Sequence, residues 1–368
     1  MKIICERELF SESISVVQRA VAVKSTIPHL EGILINTKEN SIKLTGNNLE
    51  IAIECEIPAR ILEHGSVVLN SRMFGEIIRK MDGEDVTLEV SDDLVIKIYS
   101  GDIFFEITGM FPDEYPEVPN NASDMTFTIP EKVLRSMIKQ TIYAVGTNAN
   151  KIVLTGSLFD IKGDELTIVS LDGYRLALRK EKMNEALEDT KFIVPAKALN
   201  ELLKVLKEDD KNVTIGINDK YAVFEIDAYR FNTRLIEGEF LNYNQIIPAD
   251  SKTTVTADVK RLCDGIDRAA LVIDGDISKY PIKIEISENM MDISCISKVG
   301  RMEEKVAVST EGEGLTIGFN YRYLLDALKN CEEEKVHLFL NSPLSPCVIR
   351  GEEDNYTYLV LPVRMKNE

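Results

Sequence analysis

The sequence predicts an α+β protein made of three tandem copies of one unit, each with two helices packed on mostly antiparallel sheet. Three observations predict it. A helix-bearing segment recurs at a constant interval: Leu69, Val194 and Phe319 are 125 residues apart, as are Phe74, Leu199 and Leu324, and Ile78, Leu203 and Leu328. Between the helices, apolar and polar residues alternate in short runs, the period of a half-buried strand. Pro-rich segments followed by polar stretches then punctuate the chain. A repeat of 125 residues is far longer than a solenoid turn, so whole domains are duplicated. The boundaries fall at 1–120, 125–248 and 252–368.

Each copy opens with a helix, at about 8–21, 131–145 and 258–271. A strand-turn-strand follows, as NSIKLTGNNLEIAIECEI, DELTIVSLDGYRLALRKE and NMMDISCISKVGRMEEKV; Ile42, Leu166 and Met291 lie 124 and 125 apart. Next comes the recurring segment itself: a strand end, a short amphipathic helix at 71–81, 196–207 or 321–331, an acidic turn and a new strand. Alternation then marks later strands, as in Asp93–Tyr99 and Lys220–Ile226. FPDEYPEVP at 111–119 and FLNYNQIIP at 240–248 close the first two copies.

Composition narrows the class. With 44% hydrophobic residues over 368 positions, the chain can fill several cores. No apolar run approaches the ~18–20 residues of a membrane helix. The start, MKIICERE, is broken at once by charge, unlike a signal peptide, so a cytoplasmic protein is expected. Cys5, Cys55, Cys263, Cys295, Cys331 and Cys347 have no paired spacing, which points to scattered reduced thiols and to no metal site.

Nothing marks an enzyme. His29, His64 and His337 are isolated, and no phosphate-binding glycine loop occurs. Paired acids stand at Asp92-Asp93, Asp209-Asp210 and Asp274-Gly275-Asp276, all at expected turns, where Asp and Gly are favoured for backbone reasons. A metal-dependent phosphoester hydrolase using Asp274 and Asp276 is the alternative. An acidic peptide-binding scaffold that never meets DNA is another. No cofactor is expected.

The net charge of −18 argues by itself against a nucleic-acid partner. Its distribution argues otherwise. The six expected helices hold 15 basic and 9 acidic residues, a net +6, which leaves −24 on everything else. If the helices share a face, that face is positive and the remainder strongly negative.

In order and spacing, LTGNNLEIAIE, FPDEYP, SLDGYRLALRK, EGEFLNYNQIIP, GFNYRYLLDAL and the final LPVR resemble the bacterial DNA polymerase III beta subunit, the DNA sliding clamp family. The resemblance spans the chain. It implies three DNA-clamp domains per chain and a head-to-tail homodimer, closed into a ring with sheets outside and helices lining the hole. Twelve helices at ~10 Å each give a circumference of about 120 Å and a clear bore of ~28 Å. Duplex DNA, roughly 20 Å across, fits with a layer of water, so binding is sequence-independent. The helix cations Arg72, Arg79, Lys80, Arg135, Lys139, Lys197 and Lys204 would face DNA. So would two loop residues, Lys24, where the family often has arginine, and Asn148.

The resemblance also implies a pocket for short apolar peptide motifs of the replicative polymerase, the clamp loader and repair proteins. By position its residues are Leu154 and Leu171, then Gly173, Tyr174, Arg175 and Leu176. Leu241, Gln245 and Ile246 come next, then Pro346, Leu359, Leu361, Pro362, Val363 and Arg364. Arg175 is expected to orient a peptide carbonyl or acid. Departures from the family are Tyr174 for a frequent histidine, Leu241 for proline, Gln245 for arginine, and Leu361 and Val363 for methionines. For the ring seam the candidates are Phe105 and Ile107 in the first copy, and Leu271 and Val272 in the third.

Overall fold

In the computed structural model, which describes residues 1–119, 123–273 and 280–365, six α-helices form where apolar periodicity requires them. They are α1 (Arg7–Val17), α2 (Ser71–Lys80), α3 (Glu131–Ile142), α4 (Ala196–Leu202), α5 (Val259–Ala270) and α6 (Tyr321–Lys329). The expected 8–21 helix is shorter: α1 gives way to a 3₁₀ turn at Gln18–Ala20. The expected 196–207 helix ends at Leu202.

The helix starts show the repeat at atomic detail. Asn70 caps α2 by accepting from the Met73 N–H at 3.0 Å, and Asn320 caps α6 from the Arg322 N–H at 3.0 Å. The equivalent position in the second copy is Pro195, which has no side-chain acceptor, and α4 is the shortest of the three.

The chain forms two compact units, and they cut across the repeat. One unit holds residues 1–134 and 197–235; the other holds 135–196 and 236–368. In the first, a five-stranded antiparallel sheet runs in the order Arg60–Glu63, Lys2–Glu6, Asp85–Val90, Val95–Ser100 and, at its edge, β1 (Ile103–Thr108). Asp93 and Leu94, expected in a strand, lie in the connection before Val95–Ser100, with Leu94 at φ +58°. An eight-stranded sheet joins four strands of the first copy to four of the second, through the antiparallel pairing of Tyr229–Arg234 with Ile51–Pro58. Its core meets α1 and α2, whose Phe10 and Phe74 rings pack edge to face at 5.5 Å.

The second unit repeats this device. The long hairpin of β2 (Gly156–Leu171) and β3 (Arg175–Pro195) pairs through β3 with β5 (Tyr356–Val360), so strands of the second and third copies share a seven-stranded sheet. A four-stranded sheet, edged by β4 (Arg301–Ala307), packs on α5, while α6 packs on α5 and on β5 of the seven-stranded sheet. Two apolar clusters fill this unit. One centres on Ile266, Ile293, Leu328 and Tyr358, the other on Leu158, Val169, Leu178 and Tyr243. The second cluster underlies the candidate pocket.

Candidate functional site

The helix cations come first. The six helices carry 13 basic and 8 acidic residues between their observed ends, a net +5. Arg79, Lys80 and Lys139 are exposed and have no acidic partner among the described residues. Others are engaged: Arg72 with Glu76 at 3.5 Å and Lys197 with Glu50 at 2.7 Å; Lys204, expected on a helix, stands in the turn after α4 and pairs with Glu201 at 2.7 Å. Arg135 is half-buried and has partners. Such exposed pairs are weak and exchangeable, so they leave the cations available to a polyanion. Lys24 is exposed on the loop after α1. Asn148 accepts from the Asn150 N–H at 2.9 Å and lines a cavity.

That cavity, about 520 Å³, is built on the hairpin turn between β2 and β3. Asp172 shapes the turn: its Oδ1 accepts from the Tyr174 N–H at 2.8 Å and the Arg175 N–H at 3.1 Å. Gly173 sits at φ +94°, a region that glycine enters without strain. The turn thereby presents Tyr174 outward, 61% exposed, with its ring stacked on Tyr323 of α6 at 5.8 Å and 19°.

Arg175 points the other way. Its Nε donates to Asp172 Oδ2 at 3.0 Å and its Nη1 to Asp326 of α6. Its guanidinium lies 4.7 Å from the Tyr323 ring centre and 5.5 Å from that of Tyr143. Burial opposes its charge, but the hydrogen bonds and charges of Asp326 and Asp172 outweigh that and hold its pKa above the ordinary value. Nε and Nη1 of Arg175, the residue expected to orient a peptide group, are thus engaged within the protein, while the side chain still lines the cavity.

The pocket leucines divide by burial. Leu154, Leu171, Leu176 and Leu359 are interior, within the cluster that holds Tyr243. They form the foundation, and among them Leu154 reaches the cavity lining. Leu241, Gln245 and Ile246 are exposed on the segment that Tyr243 anchors through its hydroxyl to Asp160 Oδ2 at 2.8 Å. Leu361 and Pro362 are half-buried, and the Leu361 N–H donates to the Tyr174 carbonyl at 2.8 Å. A second cavity of about 410 Å³ is lined by Pro343, Leu344, Val363, Arg364 and Met365. Half-buried Pro346 lies in the same loop as Pro343 and Leu344.

Sequence reasoning missed Tyr323, Asp326, Lys151 and Leu344. One signal could have found Tyr323. The positions 125 and 250 residues before it are Ala198 and Met73, so the third copy alone is aromatic there.

The seam candidates lie on edges. β1 exposes Phe104 and Phe105, with Ile107 half-buried. In the other unit Leu271 is 81% exposed after α5, and Val272 is half-buried against the core, its carbonyl accepting from the Ser297 hydroxyl in the turn before β4. Exposed edges with such residues invite pairing with another chain.

The acid pairs are turn residues where described. Asp92 and Asp93 occupy a turn; Asp209 accepts from the Lys211 N–H at 3.0 Å; Asp210 pairs with Lys132 at 2.5 Å. Asp274 and Asp276 lie outside the described residues. Among the described residues no cluster of His, Cys, Asp or Glu could hold a metal. Burial pushes Cys55 and Cys263 up to about 11, so these thiols are protonated at neutral pH. No described helix is long and apolar enough to cross a membrane.

Comparison with known proteins matches the whole chain. Three family models match in order: DNA polymerase III beta subunit N-terminal domain at 1–119, central domain at 128–242 and C-terminal domain at 244–364. The beta sliding clamp of Halalkalibacterium halodurans is 32% identical over 379 residues, covering 99% of this chain and 100% of that protein. That of Staphylococcus aureus is 32% identical over 375 residues, covering 99% of each. Among solved structures, the DNA polymerase sliding clamp of Bacillus subtilis aligns with a TM-score of 0.96 at 32% identity over 100% of both chains. The DNA polymerase beta subunit of Streptococcus pyogenes aligns at 0.95 and 26%, covering 99% of this chain and 100% of that one.

Proposed function

This chain belongs to the DNA polymerase III beta subunit family, and from that membership and the geometry of its helices and pocket we infer that it is a DNA sliding clamp. It is a processivity factor, not an enzyme. The observation that carries this is the coincidence of the threefold repeat with the three family domains along the chain.

Two copies close head to tail into a ring around duplex DNA. The β1 edge of one, with Phe105 and Ile107, meets the partner's edge near its Leu271 and Val272. Cations of the helices, Arg72, Arg79, Lys80, Arg135, Lys139 and Lys197 among them, interact with phosphates across a water layer, as do Lys204 in the turn after α4 and the loop residues Lys24 and Asn148. Because phosphates carry no sequence information, the ring slides. The charge outside the helices, net −23, repels DNA from the exterior. The pocket takes short apolar peptides of the replicative polymerase subunit, the clamp loader and repair proteins. The protein works in the cytoplasm, beside the DNA it encircles.

Topology, not affinity, holds such a ring. The clamp is loaded by its loader onto nicked circular DNA, the DNA is linearised, and retention is followed by gel filtration. Retention on circles and loss from linear ends is expected. Equal retention on both, or none on circles with a competent loader, overturns the reading.

A further inference from the structure

The first two copies each end in a closing segment, 111–119 and 240–248, and each segment buries one tyrosine. Tyr115 and Tyr243 are buried, while every other residue of the two segments is half-buried or exposed. Both tyrosines anchor through the hydroxyl, but the acceptors differ. The Tyr115 hydroxyl donates to the Thr45 carbonyl at 3.0 Å, and the Tyr243 hydroxyl to Asp160 Oδ2 at 2.8 Å. A hydrogen bond to a carboxylate is roughly twice as strong as one between neutral groups. Burial, with the hydrogen bond and charge of Asp160, holds the Tyr243 phenol far above its usual pKa, so its hydroxyl remains the donor.

The rest of the fastening differs too. The first segment contains Pro112, Pro116 and Pro119, and the side-chain amides of Asn47 and Asn232 donate to the Pro116 and Pro119 carbonyls at 3.3 and 3.1 Å. Proline fixes φ, so this segment has few other conformations to adopt. The second segment has a single proline, Pro248, at its end. Among the described residues, the Tyr243–Asp160 contact is the one hydrogen bond that ties 240–247 to the rest of the protein. The Gln245 and Ile246 N–H groups close a turn inside the segment, on the Asn242 and Tyr243 carbonyls. Asp160 itself is 1% exposed, and its Oδ2 also lies 3.5 Å from Lys191 Nζ and 3.7 Å from Lys162 Nζ. Those two ammonium groups offset the cost of burying the carboxylate, which therefore keeps partners if the hydroxyl leaves. A segment held at one point, displaying exposed Leu241, Gln245 and Ile246, is suited to move as a unit.

We propose that the Tyr243–Asp160 contact is a latch that sets the position of the rim formed by Leu241, Gln245 and Ile246, and thereby sets how long a bound peptide stays. Tyr243 and Asp160 are positioning residues: they act on the peptide through the rim. The inference rests on the proposed peptide-binding role of the pocket and adds to it the pair that controls release.

The test uses the full-length clamp and a labelled synthetic peptide copied from the clamp-binding segment of the cell's own replicative polymerase. Dissociation rates are read by stopped-flow fluorescence anisotropy. Tyr243→Phe removes one oxygen and keeps the buried ring; it should speed dissociation about three- to ten-fold, part of what a hydrogen bond to a charged group is worth. Hydrogen exchange at the Gln245 and Ile246 amides of the free protein should quicken with it. Asp160→Asn keeps an acceptor and removes only the charge, so its effect should be smaller. The double variant should be no worse than Tyr243→Phe alone, because both changes open one contact. Tyr115→Phe removes the same oxygen from the other segment; it should lower the thermal midpoint and leave dissociation unchanged. The latch is overturned, with the pocket left intact, by an unchanged dissociation rate in Tyr243→Phe, by faster dissociation without faster exchange, by strictly additive effects in the double variant, or by an equal rise in Tyr115→Phe. Failure of the peptide to bind the unaltered clamp refutes the pocket reading itself.

Discussion

The helix faces and the pocket solve opposite problems. Helix cations such as Arg79, Lys80 and Lys139 are exposed, long-stemmed and held by no fixed partner among the described residues. Pocket groups hold one another: Asp172 fixes the turn, two carboxylates fix Arg175, and Arg175 fixes Tyr323. A surface that must ride over any sequence needs charge without geometry. A surface that must choose among peptides needs geometry, and obtains it by locking charges to each other. If so, removing one group should be severe in the pocket and graded on the helices.

The largest effect is expected from Arg175→Ala. It leaves Asp172 and Asp326 without their shared cation and frees the Tyr323 ring. Truncating one partner of a largely buried charge pair costs several kcal/mol in general; Asp326 is partly exposed, so a loss of about 10-fold or more in peptide affinity is expected. Isothermal titration with a polymerase-derived peptide measures it. A loss below about two-fold would mean that the lock is not what shapes the pocket. Arg175→Lys should recover little, because an ammonium cannot satisfy both carboxylates and cover a ring at once.

The helix faces should respond by increments. Changing Arg79, Lys80 and Lys139 together to alanine should reduce the slope of log K against log salt by roughly 2–3, at about 0.9 per phosphate contact. Peptide affinity should not change with it. A slope change near zero would remove these side chains from the DNA-facing surface. A collapse with the first substitution would show that one residue, not the face, carries the attraction.

These two regions were also unequally legible in the sequence. Helix positions follow from local periodicity, and the 125-residue register fixed the second helix of each copy; Phe74, Ile77 and Ile78 of α2 are buried as the pattern requires. Helix ends were less legible. α1 runs into a 3₁₀ turn, and α4 ends at Leu202 although the apolar pattern continues through Val205 and Leu206. Sheet continuity was not legible. Pairing of Tyr229–Arg234 with Ile51–Pro58 joins segments far apart in the chain, and nothing local specifies it. The pocket was placed by family resemblance, yet the network that holds Arg175 was not legible. Its second carboxylate, Asp326, is 151 residues away, and only the fold brings the two together.

Caps connect the two regions, because the same device begins a helix in each. Asn320→Ala and Asn70→Ala should each cost about 1 kcal/mol of stability, seen as a lower thermal midpoint. Tyr323 lies in the first turn of α6, so Asn320→Ala should also weaken peptide binding a few-fold, while Asn70→Ala should not. Equal effects of the two on peptide affinity would show that the pocket does not depend on how α6 begins.

The smallest stability effect is expected from Lys204→Ala, and it sharpens the comparison most. Lys204 pairs with Glu201 at 2.7 Å, but about half of its side chain is exposed, and Glu201 keeps Arg19 at 3.6 Å. Loss of an exposed pair of this kind changes stability by less than about 0.5 kcal/mol. If Lys204 faces the bore, the salt slope for DNA should nevertheless fall by roughly 1. A residue almost silent in unfolding and visible on DNA is what a charge-without-geometry surface requires. A shift in stability with no change in slope would assign Lys204 to the fold and remove it from the DNA-facing set.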